Sequence, residues 1–227
     1  MKTLFLILFL LPLTMAFSGE FEKKLETFNS ITVQGNFEVY LKKGEAPAAK
    51  VVNTDADLLD EQIIFDQKGA DLKITTKGNS LRKLSLKVYV TYTSLVELTT
   101  RNAGWIECKE TLDGEKVTIS CATDGVIHAK LACKSIEAAV LTGGTIRLSG
   151  AVDIADYKIN AGGFISGKDV VAKEVVARIN SGGDISCHGT EKMELRTTIG
   201  TIKYIFDGDK ANFKEKATLG GEIKAFN

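Results

Sequence analysis

The acidic side chains around the recurring glycine turns are the first candidates for catalysis. Hydrolysis of a glycosidic bond needs two carboxyl groups about 5 to 10 Å apart across one groove. Asp124 directly precedes one turn glycine, and Asp184 directly follows another glycine three repeats later. If the repeats stack at about 4.8 Å each, these carboxylates lie about 14 Å apart. Asp153 and Asp156 are close in sequence but fall between predicted strands, where solvated turn residues are expected. We therefore predict no catalytic residues and no enzyme.

Histidine and cysteine are the other residue types that could bind a metal or react. His128 and His188 fall at different positions of the repeat, and no cysteine pair has the close spacing of a zinc site. The four cysteines are Cys108, Cys121, Cys133 and Cys187. Two of them, Cys108 and Cys187, share a repeat position but would lie about 19 Å apart, beyond disulfide reach. We favour core packing over disulfide bonds for the cysteines and predict neither a metal site nor a cofactor.

A repeat dominates the second half of the chain: a turn of small residues ends in glycine, and isoleucine follows two positions later, seven times. The turn glycines lie 17 to 21 residues apart. The pairs are Gly104/Ile106, Gly125/Ile127, Gly144/Ile146, Gly163/Ile165, Gly183/Ile185, Gly200/Ile202 and Gly221/Ile223. Such a period is at the short end of those used by solenoid proteins.

Polarity alternates after each glycine, with the isoleucine expected inside and the neighbouring positions outside. Trp105 and Phe164 occupy an outward position of two different coils, so both are candidate surface contacts, although coverage by another segment is an equally good explanation. Asn160 and Asn180 share a position before the turn, which Thr197 and Thr218 continue. We interpret that column as stacked side chains with a structural role.

The pattern predicts an all-β protein with a parallel β-helix of about seven coils over residues 95–227. An antiparallel sandwich also has regular turns, but it does not explain one isoleucine position repeated in every coil. Residues 19–94 show alternating strands without a clear period and form a strand-rich N-terminal region. Within it, Asp55 to Gln62 fits either a helical turn or a loop.

The first residues have the features of a secretory signal peptide, assigned to residues 1–18. Lys2 precedes an apolar run from Leu4 to Leu13, and small residues at Ala16 and Ser18 offer two alternative cleavage points. The run is shorter than the roughly 20 residues that a membrane-spanning helix needs, so we expect no span after cleavage. Basic and acidic residues number 29 each and are interspersed, which disfavours nucleic acid as a partner.

Several segments together resemble the putative auto-transporter adhesin, head GIN domain family of exported bacterial proteins. The likeness starts at Phe28 to Leu41 and continues through Asp57-Leu58-Leu59, Ala70 to Ile74 and Leu86 to Tyr92 to the glycine turns, ending with Ile202-Lys203-Tyr204. The resemblance implies a right-handed parallel β-helix and an adhesive or envelope-associated role. It brings no catalytic residues.

We therefore expect a secreted, non-catalytic binding module, in the periplasm or at the cell surface, whose unknown ligand is a glycan or an envelope protein. The alternatives are a polysaccharide lyase or hydrolase on the same scaffold and a purely structural envelope protein. The ends of a solenoid expose unpaired strand edges, so self-association through the ends is a further expectation.

Overall fold

A computed structural model describes residues 19–78 and 82–226, and the predicted signal peptide lies outside these residues. The described chain is almost entirely β-structure, with two 3₁₀ turns at Asp60–Gln62 and Lys210–Asn212. The first of these resolves the segment Asp55 to Gln62 as a loop that ends in one helical turn. The strands are β1 (Gly19–Lys24), β2 (Ser30–Gln34), β3 (Glu38–Lys43), β4 (Ala48–Asn53), β5 (Ile63–Lys68), β6 (Asp71–Thr76), β7 (Leu86–Tyr92), β8 (Glu97–Arg101), β9 (Trp105–Ala122), β10 (Val126–Thr142), β11 (Thr145–Ala161), β12 (Phe164–Ser181), β13 (Asp184–Phe206) and β14 (Phe213–Ala225).

The strands form a β-solenoid of about six turns, in rough agreement with the seven predicted coils. Each coil from β9 to β12 is one strand of 17 or 18 residues that bends around the core. In β10, buried and solvent-facing residues alternate from Ile127 to Cys133 and again from Ile136 onward. Two consecutive residues that are not buried separate these stretches, at the point where the strand bends. We call the part that follows each glycine turn the front sheet, and the part that precedes the next turn the back sheet.

The predicted isoleucine column exists and forms the centre of the core. Ile106 pairs with Ile127, which pairs in turn with Ile146, in parallel register. The column continues to Ile202, and its members from Ile106 to Ile202 are at most 1% exposed. Burying one such side chain removes it from water at a gain of about 1.5 to 3 kcal/mol, so this column is a main source of stability.

The N-terminal coils are not stacked in the order in which they occur in the sequence. Ser30 at the start of β2 pairs with Asp71 in β6 on one side and with Glu97 in β8 on the other. In the same way β3 lies between β7 and β9, with Val39 paired to both Val88 and Ile106. The coil formed by β2 and β3 is therefore enclosed by strands that come later in the sequence.

Antiparallel strands close the N-terminal end of both sheets. On the front sheet β4 pairs antiparallel with β7, and β1 pairs antiparallel with β4. On the back sheet β5 pairs antiparallel with β6. The front and back sheets continue without a break from these strands into β9, so strands on both sides of residue 94 belong to the same sheets. The boundary predicted at residue 94 between an N-terminal region and the β-helix remains a prediction.

The glycine turns are of two kinds. The two early turns have three residues between strands and place non-glycine residues at positive φ, for example Asn102 at 54° and Asp124 at 59°. The next three turns are Gly-Gly pairs, in which the second glycine, such as Gly163 at 104°, has a φ that side chains disfavour. A Cβ at Gly163 would also lie 2.8 Å from the carbonyl oxygen of Gly144 in the coil beside it. The later turns therefore require glycine by both conformation and space.

At the C-terminal end, β14 pairs in parallel with β13 and its residues are mostly exposed. Two apolar side chains in the middle of their coils also face solvent, Ile154 at 48% and Val171 at 44% exposure, while Val152 and Val175 nearby in sequence are buried.

The four cysteines are buried and free, in agreement with a role in the core. Burial raises the pKa of the Cys121 thiol to about 11 and that of Cys187 to about 12. These thiols stay protonated at neutral pH, which makes them poor nucleophiles.

Candidate functional site

The acidic residues weighed for catalysis do not converge on a groove. Asp124 lies in a turn and Asp184 begins β13, three coils away. Asp153 is bound to Lys173 at 2.8 Å, and Asp156 is bound to an arginine at 3.0 Å. Over residues 19–78 and 82–226, no three His, Cys, Asp or Glu side chains are grouped in a way that could hold a metal ion.

Trp105, one of the two predicted contact residues, packs against the rings of two neighbouring strands. It begins β9 on the outward side of the front sheet and is partly exposed. Its ring meets the Tyr40 ring edge-on, with centroids 5.3 Å apart, and the His128 ring at 5.7 Å. These contacts follow from register, because Trp105 pairs with Glu38 and Val126, which places Tyr40 and His128 on its two diagonals.

Two tyrosines extend this arrangement toward the N-terminal end. Tyr40 and Tyr89 are directly paired in β3 and β7, and their rings stack at 5.2 Å with an angle of 17° between planes. Tyr89 is 43% exposed, which is high for an aromatic residue. We call Tyr89, Tyr40, Trp105 and His128 the aromatic row; it crosses four adjacent strands of the front sheet.

The histidine of the row is held between two charged side chains. The Arg147 guanidinium lies 2.9 Å from Nε2 of His128, and the Glu107 carboxylate lies 3.2 Å from Nδ1. Because an arginine only donates hydrogen bonds, Nε2 must accept and Nδ1 must carry the proton that it donates to Glu107. This network fixes the tautomer and the plane of the imidazole at the edge of the row.

The tyrosine at the centre of the row is held by a carboxylate. The Tyr40 hydroxyl donates to Oε2 of Glu38 at 2.9 Å. Partial burial and this carboxylate raise the pKa of Tyr40 to about 12, so the phenol keeps its proton at physiological pH. Lys83 and Lys87 also approach Glu38, at 3.5 and 3.9 Å.

Surface hollows flank the aromatic row on both sides. One of about 350 Å³ is lined by Glu107, His128 and Arg147 of the row's charged edge together with Lys109 and Lys130. The other, about 500 Å³, has a mixed lining around Glu38. Its polar lining residues are Thr54, Lys83, Ser85 and Lys87, and its apolar ones are Val52, Leu84 and Leu86. Aromatic rings between hollows that hold polar groups can offer both apolar contact and hydrogen bonding to one ligand.

Phe164 lies apart from the row. It stands in the same outward column as Trp105, but Val126 and Thr145 come between them. At about 4.8 Å per strand the two aromatic residues are about 14 Å apart. That either residue contacts a ligand stays a prediction.

Reasoning from sequence missed Tyr40 and Tyr89 as neighbours of Trp105. The available signal was the repeated motif Val39-Tyr40-Leu41 and Val88-Tyr89-Val90, which places a tyrosine at the same outward position of two strands. The motif does not reveal which coil each strand lies beside, and that order brings the three rings together.

The predicted asparagine column is present in part. Nδ2 of Asn180 donates to Oδ1 of Asn160 at 3.2 Å, as stacking predicts. The amides are on the outer surface, however, and Thr197 does not continue the column, because it pairs with Ile179 and is buried. The coil from Gly183 to Gly200 is the shortest, at 17 residues, and the register shifts after Thr197, so Thr198 takes the outward place.

The described part of the chain contains no helix long and apolar enough to cross a membrane.

Comparison with known proteins supports the fold and the family. Three solved structures are similar over nearly their full length. A putative adhesin from Bacteroides fragilis NCTC 9343 is 20% identical, covers 91% of this chain and 96% of its own, and superposes with a TM-score of 0.79. A putative adhesin from Parabacteroides merdae ATCC 43184 is 17% identical, with 92% and 96% coverage and a TM-score of 0.71. A putative lipid binding protein from Parabacteroides distasonis ATCC 8503 is 20% identical, with 92% and 96% coverage and a TM-score of 0.66.

Among curated proteins, no relative matches this chain. The sequence profile of the family described as putative auto-transporter adhesin, head GIN domain, matches residues 27–205. The match covers most of the chain and confirms the resemblance in the sequence. The chain belongs to this family.

Proposed function

We propose that the protein is an exported, non-catalytic binding module of the cell envelope, and that its aromatic row binds the sugar rings of a glycan. The export rests on the signal peptide pattern of residues 1–18 and on membership of an adhesin family. Location in the periplasm or at the outer surface is compatible with both.

The observation that carries the glycan proposal is the line of rings from Tyr89 through Tyr40 to Trp105. These side chains project from the outer side of the front sheet, where Tyr40 stacks on Tyr89 and meets Trp105 edge-on. The apolar face of a sugar ring packs on an aromatic ring, and its hydroxyl groups need polar partners at the edge. Glu38, Glu107 and Arg147 lie at that edge.

A binding role fits the chemistry of this site better than catalysis. Glu38 is bound to the Tyr40 hydroxyl and Glu107 to His128, so both carboxylates position aromatic rings. One structural neighbour is named as a putative lipid binding protein, but the row of this chain is lined by charges that would oppose an acyl chain. We therefore favour a glycan over a lipid and over a purely structural role.

A glycan array probed with the purified mature protein tests the proposal. We expect wild type to bind a defined set of glycans, and Trp105→Ala and Tyr40→Ala to bind them at least about tenfold more weakly, a loss of about 1.4 kcal/mol. Phe164→Ala is the matched control, because it removes an outward aromatic residue outside the row, and we expect unchanged binding. Circular dichroism spectra of all variants establish that they are folded.

A blank array with folded protein would overturn glycan binding and favour a protein ligand. Equal losses in Phe164→Ala and in the row variants would mean that the row is not the contact surface.

A further inference from the structure

We propose that the back sheet carries a second binding site, for a linear acidic polysaccharide, built by four cationic side chains stacked one per coil. These residues are Lys158, Arg178, Arg196 and Lys216, which we call the basic column. It lies on the sheet that precedes each turn, whereas the aromatic row lies on the sheet that follows it. The proposal therefore does not depend on the glycan function of the row.

Strand register places the four cations in one line. Lys158 in β11 pairs with Arg178 in β12, Arg178 pairs with Arg196 in β13, and Arg196 pairs with Lys216 in β14. Directly paired positions on neighbouring strands lie about 4.8 Å apart and point the same way. Like charges at this spacing repel each other, so an unpartnered column is unfavourable.

Carboxylates neutralise only the middle of the column. Arg178 is bound to Asp156 at 3.0 Å, and Arg196 is bound to Glu194 at 2.7 Å. Lys158 and Lys216, at the two ends, are exposed and form no ion pair within the described residues. The column thus keeps an excess of positive charge that an external anion can balance.

The carboxylates leave the other side of the column open. Asp156 lies two positions before Lys158 along the strand, and Asn160 lies two positions after it, so they are on opposite sides of the column. The side beyond the column is a groove of about 360 Å³. The groove is lined by Arg178, Asn180, Arg196, Thr198, Lys216 and Thr218.

The groove combines the two kinds of contact that an acidic sugar polymer requires. The two arginines and Lys216 on one side can bind carboxylate or sulfate groups, with arginine able to form paired hydrogen bonds. The amide of Asn180, already bound to Asn160 at 3.2 Å, and the threonine hydroxyls on the other side can bond to sugar hydroxyls.

The neutral side of the groove selects among polyanions. A polymer with one acidic group per sugar carries a row of charges for cations about 4.8 Å apart and also carries hydroxyl groups for Asn180 and the threonines. A nucleic acid strand offers the charges but mostly bases in place of those hydroxyl groups. A polyuronate therefore fits both sides of the groove better than a nucleic acid does.

Binding of polygalacturonate to the mature protein, measured by calorimetry at several salt concentrations, tests this inference. We expect binding that weakens as salt rises, and no binding of neutral dextran. The variant Lys158→Gln/Lys216→Gln removes the two unpaired cations without breaking an ion pair, and we expect at least about tenfold weaker binding. The control Lys24→Gln/Lys77→Gln removes two exposed lysines from the N-terminal region, and we expect less than twofold change.

Equal losses in the two double variants would overturn the proposal, since overall charge and not the column would then cause binding. Stronger binding to a single-stranded oligonucleotide or to anionic lipid vesicles than to polygalacturonate would overturn it as well.

Discussion

The N-terminal and C-terminal coils belong to one sheet but reach the same stack by different routes. The C-terminal coils, β9 to β13, follow one another in sequence order and turn at glycines. The N-terminal coils, β2 with β3 and β6 with β7, are stacked out of sequence order, and antiparallel strands cover their outer edge. Paired residues of neighbouring C-terminal coils are about one repeat apart in sequence, whereas β2 pairs with β6 and β8, which are separated from it by long stretches of chain.

This difference shows which interactions each region depends on. A regular coil needs a buried aliphatic side chain and a turn that leads into a next coil of the same kind. An irregular coil needs specific contacts that hold its connections in place. One such contact is Asp55, which accepts hydrogen bonds from Arg82 at 2.8 and 2.6 Å and from the amide of Ser85. Different substitutions and solution conditions should therefore destabilise the two regions.

The largest effect is expected in the regular column. Ile165 is fully buried in a central coil, so Ile165→Asp would place a carboxylate in an apolar core and cost about 4 kcal/mol or more. We expect little soluble folded protein. Ile223→Asp, in the partly buried last coil, is the control and should cost much less. Thermal melts followed by circular dichroism compare them, and equal melting temperatures would mean that Ile165 does not support the stack.

The next effect tests why the later turns require glycine at the second position of each pair. In Gly163→Ala, the new Cβ would lie 2.6 Å from a Val140 methyl group at a φ of 104°, and we expect a loss of about 1 to 3 kcal/mol. The matched change Gly162→Asn places a side chain at a φ of 68° with no atom within 4 Å, and asparagine tolerates that region. Urea denaturation should show a loss for the first variant only.

A smaller effect is expected at Asp55 in the N-terminal region, and it depends on pH. The Arg82 guanidinium and two backbone amides lower the pKa of Asp55 from 3.8 to about 2. The folded state therefore gains stability from this carboxylate above about pH 4 and loses it as the pH falls toward 2. We expect a contribution of about 1 to 2 kcal/mol at pH 7, because Arg82 is partly exposed.

The variant Asp55→Asn checks this expectation. Its free energy of unfolding should be lower than that of wild type at pH 7, and the difference should shrink between pH 4 and pH 2. Hydrogen exchange should place the loosened amides in the loop before β5 and in β7. A difference that stays constant with pH would contradict the assigned role.

The smallest effect is expected for ion pairs on the outside of the regular coils. Lys116 and Glu137 lie 2.7 Å apart, and each side chain is 53% exposed. Exposed pairs are screened by water and salt, so Lys116→Ala should change the free energy of unfolding by less than about 1 kcal/mol. Measurements at low and high salt should differ little, and a larger loss would mean that surface charge helps to hold the coils in register.

The regular coils were predictable because their signal repeats. One repeated position per coil, filled by isoleucine from Ile106 to Ile223, indicates a stack whatever the turns contain. The order of the N-terminal strands was not predictable, because β2 and β3 are short alternating strands that would fit beside many others. The fold class and the family therefore followed from sequence, but the neighbours of β2 and β3 did not.

The candidate sites depend on that same information about neighbours. Trp105 was identified as an outward aromatic residue, but its contact with Tyr40 exists only because β3 lies beside β9. The basic column has a related explanation. Lys158 and Arg178 are 20 positions apart in a chain whose charges look evenly mixed, and stacking brings them together.

The enclosed position of the β2 and β3 coil has a consequence for how the molecule is made. The first coil to leave the ribosome finds neither of its neighbours present, because both are synthesised after it. It stays without partners until β6 to β9 have emerged. Each coil after β9, in contrast, can pair with a coil that has already formed. Nascent chains that stop short of β9 should therefore remain sensitive to protease and open to chaperones, and folding should begin only once the enclosing strands are complete.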